Sequence, residues 1–200
     1  MQIQQANTQN FGARFISPAT IKIKNDKGKW VDDTVSFIKL NTGRKADVKA
    51  IEDVKYHWDG QNLSGGVAEE VKILGNKAEV FALTTQTDNF ERVNPKDILG
   101  IMSTDKTRKA KGNIEIFKIG SDPSIAYEQN HRQRPIKHVA KSMVQEFVRL
   151  LSKNKNVDSV VTHAEPSGIK FWDRVGFKQT GEELPQKYSI DKNDFSEFIG

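Results

Sequence analysis

The chain has 200 residues, 36% apolar and 28% charged, enough to bury a sizeable core in one domain or in one domain with a small appendage. It has no cysteine, which excludes disulfides and thiolate chemistry, no apolar run long enough to span a bilayer, and no apolar leader in its polar, Gln/Asn-rich Met1–Asn10. The net charge of +5 admits an anionic ligand but more often marks a solvated basic surface.

Residues 1–12 are polar and without period, which predicts a disordered tail before a single domain over 13–200. From Thr20 apolar and polar residues alternate through Lys24, the period of a half-buried strand. Asn25-Asp26-Lys27-Gly28 is turn chemistry. Lys29–Val31 and Thr34–Leu40 return as a second strand, making a hairpin over 19–40. Asn41 or Thr42 caps a helix over 44–57, whose Val48, Ile51 and Val54 share one face. A second helix over 64–74 carries Val67, Val71 and Leu74 and stops at Gly75. Ala78–Thr85 and Asp97–Thr104 read as strands, the first too apolar for an exposed edge.

The connection 105–112 is strongly basic, with Lys106, Arg108, Lys109 and Lys111, and reads as a solvated hairpin tip. Asn113–Gly120 is the next strand, and 121–135 is a polar loop longer than most connections. The clearest element follows: Val139, Met143, Phe147 and Leu151 repeat every four residues on a helix over 139–151. Ser159–His163 is a strand, Gly168–Val175 a short helix ended by Gly176, and two strands close the pattern, one from Phe177 and one over 187–190. No structure is assigned to 191–200. Strands alternate with helices in the second half, which predicts some parallel pairing. The expected fold class is α/β: a mixed, mostly antiparallel twisted sheet with helices on both faces.

Two segments carry more than fold. One is the strand Asn113–Gly120, a loop bearing Arg132, Arg134, Lys137 and His138, and the helix from Val139; the other is Phe171-Trp172-Asp173-Arg174-Val175-Gly176-Phe177. In this order they resemble the acyl-CoA-binding half of the GNAT family of N-acetyltransferases, and the likeness of element order extends over residues 34–190. The family's usual Gln/Arg-x-x-Gly-x-Gly/Ala falls on Pro135, His138 and Ala140, of which only Ala140 matches. Trp172 stands where the family commonly has Tyr, and Glu165 where it often has Asn. The resemblance implies acetyl-CoA or another acyl-CoA as cofactor. Its phosphates would sit on the helix start at Arg134, Lys137, His138, Val139, Ala140 and Lys141, where unpaired amides and lysines favour anions. Its pantetheine arm would lie along the backbone of Phe117, Lys118 and Ile119.

Amine acylation needs a base for the amine and an acid for the thiolate. An indole at Trp172 supplies no such acid. Glu115, a base acting through water, and Tyr127 are the catalytic candidates, with plainly structural roles the alternative for each; Tyr188, His131 and His163 carry the same ambiguity. His57, His131, His138 and His163 have no metal-binding spacing, so no metal is expected. The expected activity is acyl transfer to a small-molecule or protein amine in a reducing, cytoplasmic setting. Two other readings stand beside it: a CoA-binding or partner-binding module that has lost the chemistry, and, third, a nucleic-acid-binding protein of pI near 9.3. No membrane association is expected, and the oligomeric state is not legible.

Overall fold

In the computed structural model, which describes residues 12–58, 62–105, 112–123, 136–181 and 185–200, the chain opens as a long hairpin. β1 (Arg14–Lys24) and β2 (Trp30–Leu40) pair antiparallel. The Asn25 side chain accepts from the N–H groups of Lys27 and Lys29, at 3.0 and 2.9 Å, and Gly28 turns the chain with a φ of 69°. β1 begins at Arg14, earlier than its alternation foretells. A register shift between Phe15 and Ser17, followed by Pro18, breaks the period without ending the pairing.

α1 (Lys45–His57) and α2 (Asn62–Leu74) follow. The cap of α1 is Arg44 and not Asn41 or Thr42. The buried Asp47 carboxylate fills the capping role from inside the first turn, accepting from the Asn41 N–H at 2.8 Å. β3 (Ala78–Thr84) and β4 (Ile98–Asp105) are buried along their whole lengths, because helices cover both faces of the sheet at its centre.

The rest of the chain gives β5 (Asn113–Ser121), β6 (Ile136–Lys137), α3 (Val139–Ser152), β7 (Ser159–Ala164), α4 (Ile169–Val175), β8 (Lys178–Gln179), β9 (Gln186–Asp191) and α5 (Phe195–Ile199). α4 stops at Gly176, whose φ of 91° is a left-handed cap. The described residues form one nine-stranded sheet in the order β6-β1-β2-β3-β4-β5-β7-β9-β8. Every neighbouring pair is antiparallel except β5 and β7, which the α3 crossover makes parallel. This is the mixed, mostly antiparallel sheet that the sequence led one to expect.

Two cores result. On one face α1 and α2 press Ile51, Val54, Val67 and Val71 onto Ile38, Val80, Ala82 and Ile101. On the other, α3, α4 and α5 cover Phe37, Phe81, Met102, Ile114 and Ile116. Phe147 of α3 meets Phe81 with ring centroids 5.1 Å apart, and Phe81 stacks on Phe37 at 5.5 Å.

Candidate active site

β5 changes neighbours part-way along. Its first half pairs with β7, from Asn113–Ser159 to Ile116–Thr162. The ladder ends there, and the Thr162 hydroxyl donates to the Ile116 carbonyl at 3.0 Å. On its other edge β5 goes on pairing with β4 as far as Ser121, after a bulge that inserts Phe117 between the Thr104–Ile116 and Ser103–Lys118 pairs. A bulge adds twist, so β5 turns from β7 as it leaves the ladder. Lys118–Ser121 then run beside β4, and the cleft this divergence implies would lie between the carboxyl ends of two parallel strands, where α/β sheets place their ligands. The exposed Lys118 ammonium lies 3.9 Å from the Glu165 carboxylate, across the gap from β5 to the segment after β7.

α3 starts over the far end of β5: Val139 lies against Gly100 of β4, the residue paired with Ser121. The helix cap is His138, held at φ 70° and ψ 11°, a left-handed conformation that most side chains resist. Its carbonyl accepts the first helical bond, from the Ser142 N–H at 2.8 Å. The N–H groups of Val139, Ala140 and Lys141 precede that bond and point out of the helix start. Ala140 is small enough for a ligand to come close, and the first turn carries no acidic residue. Desolvation and then the charges of Lys141, Lys22 and Lys137 hold the His138 imidazole below its ordinary pKa, against the weaker pull of Asp32. Amides at a helix start with lysines beside them favour an anion. Lys137 is anchored as well as charged: its backbone pairs with Lys22 in the short β6–β1 ladder, and its ammonium sits 4.0 Å from the Trp30 ring centroid. Tyr127, His131, Arg132, Arg134 and Pro135 lie outside the described residues.

On the α1/α2 side of the sheet, β5 and β7 bring two titratable groups together. Ile114 and Ile116 face the α3 core, so Glu115 between them faces the opposite way. Its Oε1 is 2.8 Å from Nδ1 of His163. The carboxylate side chain is 7% exposed and the imidazole 42%. Nearby, the Ser103 hydroxyl donates to Glu70 of α2. Partial burial raises the Glu70 pKa despite this bond and the Lys118 charge.

The aromatic groups of the late helix and of β9 are engaged. Trp172 is buried between Phe171 and Phe177, with ring centroids 4.9 Å away on each side. Tyr188 is buried too, and its hydroxyl donates to Asp173 at 2.9 Å. Burial and the Asp173 carboxylate push its pKa up. It pins α4 to β9.

No family model matches the sequence, and no curated protein matches it. Solved structures do. A structure of the toxin AtaT, a mutant bound to the C-terminus of the antitoxin AtaR and to acetyl-CoA, is similar over 84% of this chain and 99% of its own, at 10% identity and a TM-score of 0.54. A GNAT-family acetyltransferase structure from Desulfovibrio desulfuricans is similar over 79% and 99%, at 12% identity and a TM-score of 0.53. An acetyltransferase from Salmonella typhimurium that modifies the N-terminal serine of a ribosomal subunit protein is similar over 78% and 94%, at 10% identity and a TM-score of 0.50. The chain has the GNAT fold.

Within this GNAT fold, the residues singled out from the sequence fall in two groups. Phe117, Lys118 and Ile119 stand on β5 beyond its last pair with β7, and Lys137, His138, Val139, Ala140 and Lys141 lie at the start of α3. Glu115 lies one residue inside the last β5–β7 pair, near the apex of the same cleft. Sequence reading left the partnership of Glu115 and His163 unseen, for the two are 48 residues apart. The signal was a polar residue breaking an apolar run in each of two strands joined by one helical crossover, which sets them side by side.

Proposed function

We propose that the chain is an acyl-CoA-dependent N-acyltransferase, most simply one that moves an acetyl group to an amine of a small molecule or a protein. The observation that carries this reading is the course of one strand: β5 leaves β7 after Ile116–Thr162 and runs on beside β4 to Ser121, and α3 starts over that far end on a left-handed cap, with Val139 against Gly100, the β4 partner of Ser121. The amides of Val139, Ala140 and Lys141 would hold the pyrophosphate, and the edge from Phe117 to Ile119 the pantetheine. The bound thioester supplies an electrophilic acyl carbon. The chain supplies orientation, a dry wall from the α3 core, and Glu115 and His163 to manage the amine's proton. AtaT was solved with acetyl-CoA on the same fold, which supports this choice of acyl donor.

Thermal unfolding with and without acetyl-CoA or free CoA tests the binding half. A ligand held only by the folded state at a hundred times its Kd contributes about 2.7 kcal/mol, a rise in midpoint of roughly 5–10 °C for a chain of this size. Ala140→Glu, which places a carboxylate on the helix start, removes most of that rise. Thiol release from acetyl-CoA with a panel of amines (spermidine, a lysine peptide, a peptide with a free N-terminal serine) tests the chemistry. A midpoint shift without thiol release from any amine favours the second reading, a CoA-binding module, which the buried Trp172 and the engaged Tyr188 hydroxyl support.

A further inference from the structure

The overall reaction consumes an ammonium and a thioester and yields an amide, a thiol and one proton. The C–S bond breaks with its pair going to sulfur, and the C–N bond forms from the nitrogen pair. Of the two protons nitrogen sheds, one ends on sulfur and one in solvent. A group of the chain that reaches water can take that second proton and release it there. Glu115 is poorly placed for this alone, since its carboxylate is 7% exposed.

We infer that His163 is the proton acceptor, at Nε2, and that Glu115 is its positioning residue; this rests on the acyltransferase reading above. An ionised carboxylate only accepts hydrogen bonds. The 2.8 Å contact therefore fixes the hydrogen on Nδ1 of His163 and leaves the lone pair on Nε2. The imidazole is 42% exposed, on the strand that turns from β5 one residue earlier, at Thr162. The carboxylate behind it orients the ring and fixes its tautomer while Nε2 takes the proton, the division of labour of a carboxylate–histidine pair in general-base catalysis. Among the described residues the charged groups about the pair are Lys187 opposite His163 on β9, Asp105 at the end of β4, Lys118 of β5 with Glu165 beyond β7, and Glu70 of α2. Among the described residues this surround is mixed in charge and admits a cationic acceptor.

Two measurements on the full chain test this. In the protein without ligand, nitrogen-15 NMR of the histidine rings should show His163 as the Nδ1–H tautomer, and Glu115→Ala, which removes the acceptor, should abolish that preference. An Nε2–H tautomer in the unaltered protein overturns the inference. With an amine that the unaltered protein acylates, His163→Ala should lower kcat/KM by roughly 10²–10³-fold, and added imidazole should restore part of it. His163→Gln keeps a donor for Glu115 but has no base, so it should be as slow as His163→Ala. Activity of His163→Gln within a few-fold of the unaltered protein, or loss in His163→Ala that imidazole does not touch, assigns His163 a merely structural part. Absence of turnover by the unaltered protein on every amine overturns the acyltransferase reading itself, and the two failures are told apart by that control.

Discussion

His138 holds a backbone conformation that its side chain disfavours, at the position where the family motif has glycine. The left-handed region costs a residue with a Cβ about 1 kcal/mol or more, so His138→Gly should raise stability by about 1 kcal/mol, less what glycine's freedom returns to the unfolded chain. The same substitution should change the pH dependence. The folded chain holds the His138 pKa below its ordinary 6.5, so between the depressed value and 6.5 the unfolded chain binds the proton more readily. Stability contributed at this site is therefore complete above 6.5 and falls as the pH drops through that window. Urea unfolding at pH 7.5 and 5.5 should show a loss in the parent that is smaller in His138→Gly. Bound pyrophosphate should close the gap by favouring the imidazolium. The sequence showed that a glycine was missing here. It did not show that the helix start keeps the glycine conformation without one, since that is a property of the backbone and of the contacts that hold it.

At the scale of elements, the seat of α3 depends on Gly100 in β4. A methyl there would lie 2.8 Å from Val139 Cγ1 and 3.3 Å from both Met143 Cε and the Gly120 carbonyl. Gly100→Ala should push the first turn of the helix off the sheet, cost about 1–3 kcal/mol, and weaken the CoA-induced rise in midpoint beyond what the lost stability explains; calorimetry with and without CoA separates the two. α3 was legible because its apolar stripe runs the length of the helix, and β3, β4, β5 and β7 because each is a dense apolar run between polar loops. β6 and α5 were not. β6 is two residues long and exists by virtue of its pairing with Lys22 and Ile23, and α5 is a single turn held by the burial of Phe195. Neither has the length over which a period can be read. The bulge at Phe117 was hidden for the same reason, since one extra residue leaves an apolar strand looking continuous.

The two cores share one sheet, and each carries a buried tryptophan: Trp58 lies in the α1/α2 core, with its indole N–H donating to the Ile98 carbonyl at 3.3 Å, and Trp172 in the α3 core. β3 and β4 contribute side chains to both, so neither core can be lost without the other. Fluorescence of single-tryptophan variants that keep Trp58 or Trp172 should give coincident urea midpoints. Separate midpoints would mean that the α1/α2 layer opens by itself, as an acceptor-binding layer that moves would do. The ends of the sheet have a different bearing on the life of the molecule. A sheet of nine strands ordinarily leaves two open edges that invite further strands. Here the outermost strands are two residues each. The longer β1 behind one of them carries a bulge, a proline without an N–H, and the Thr20 carbonyl occupied by the Ser142 hydroxyl. The start of α3 thus lies beside an edge whose described strands are short, bulged or already engaged, which guards concentrated solutions of the protein against growing into ribbons.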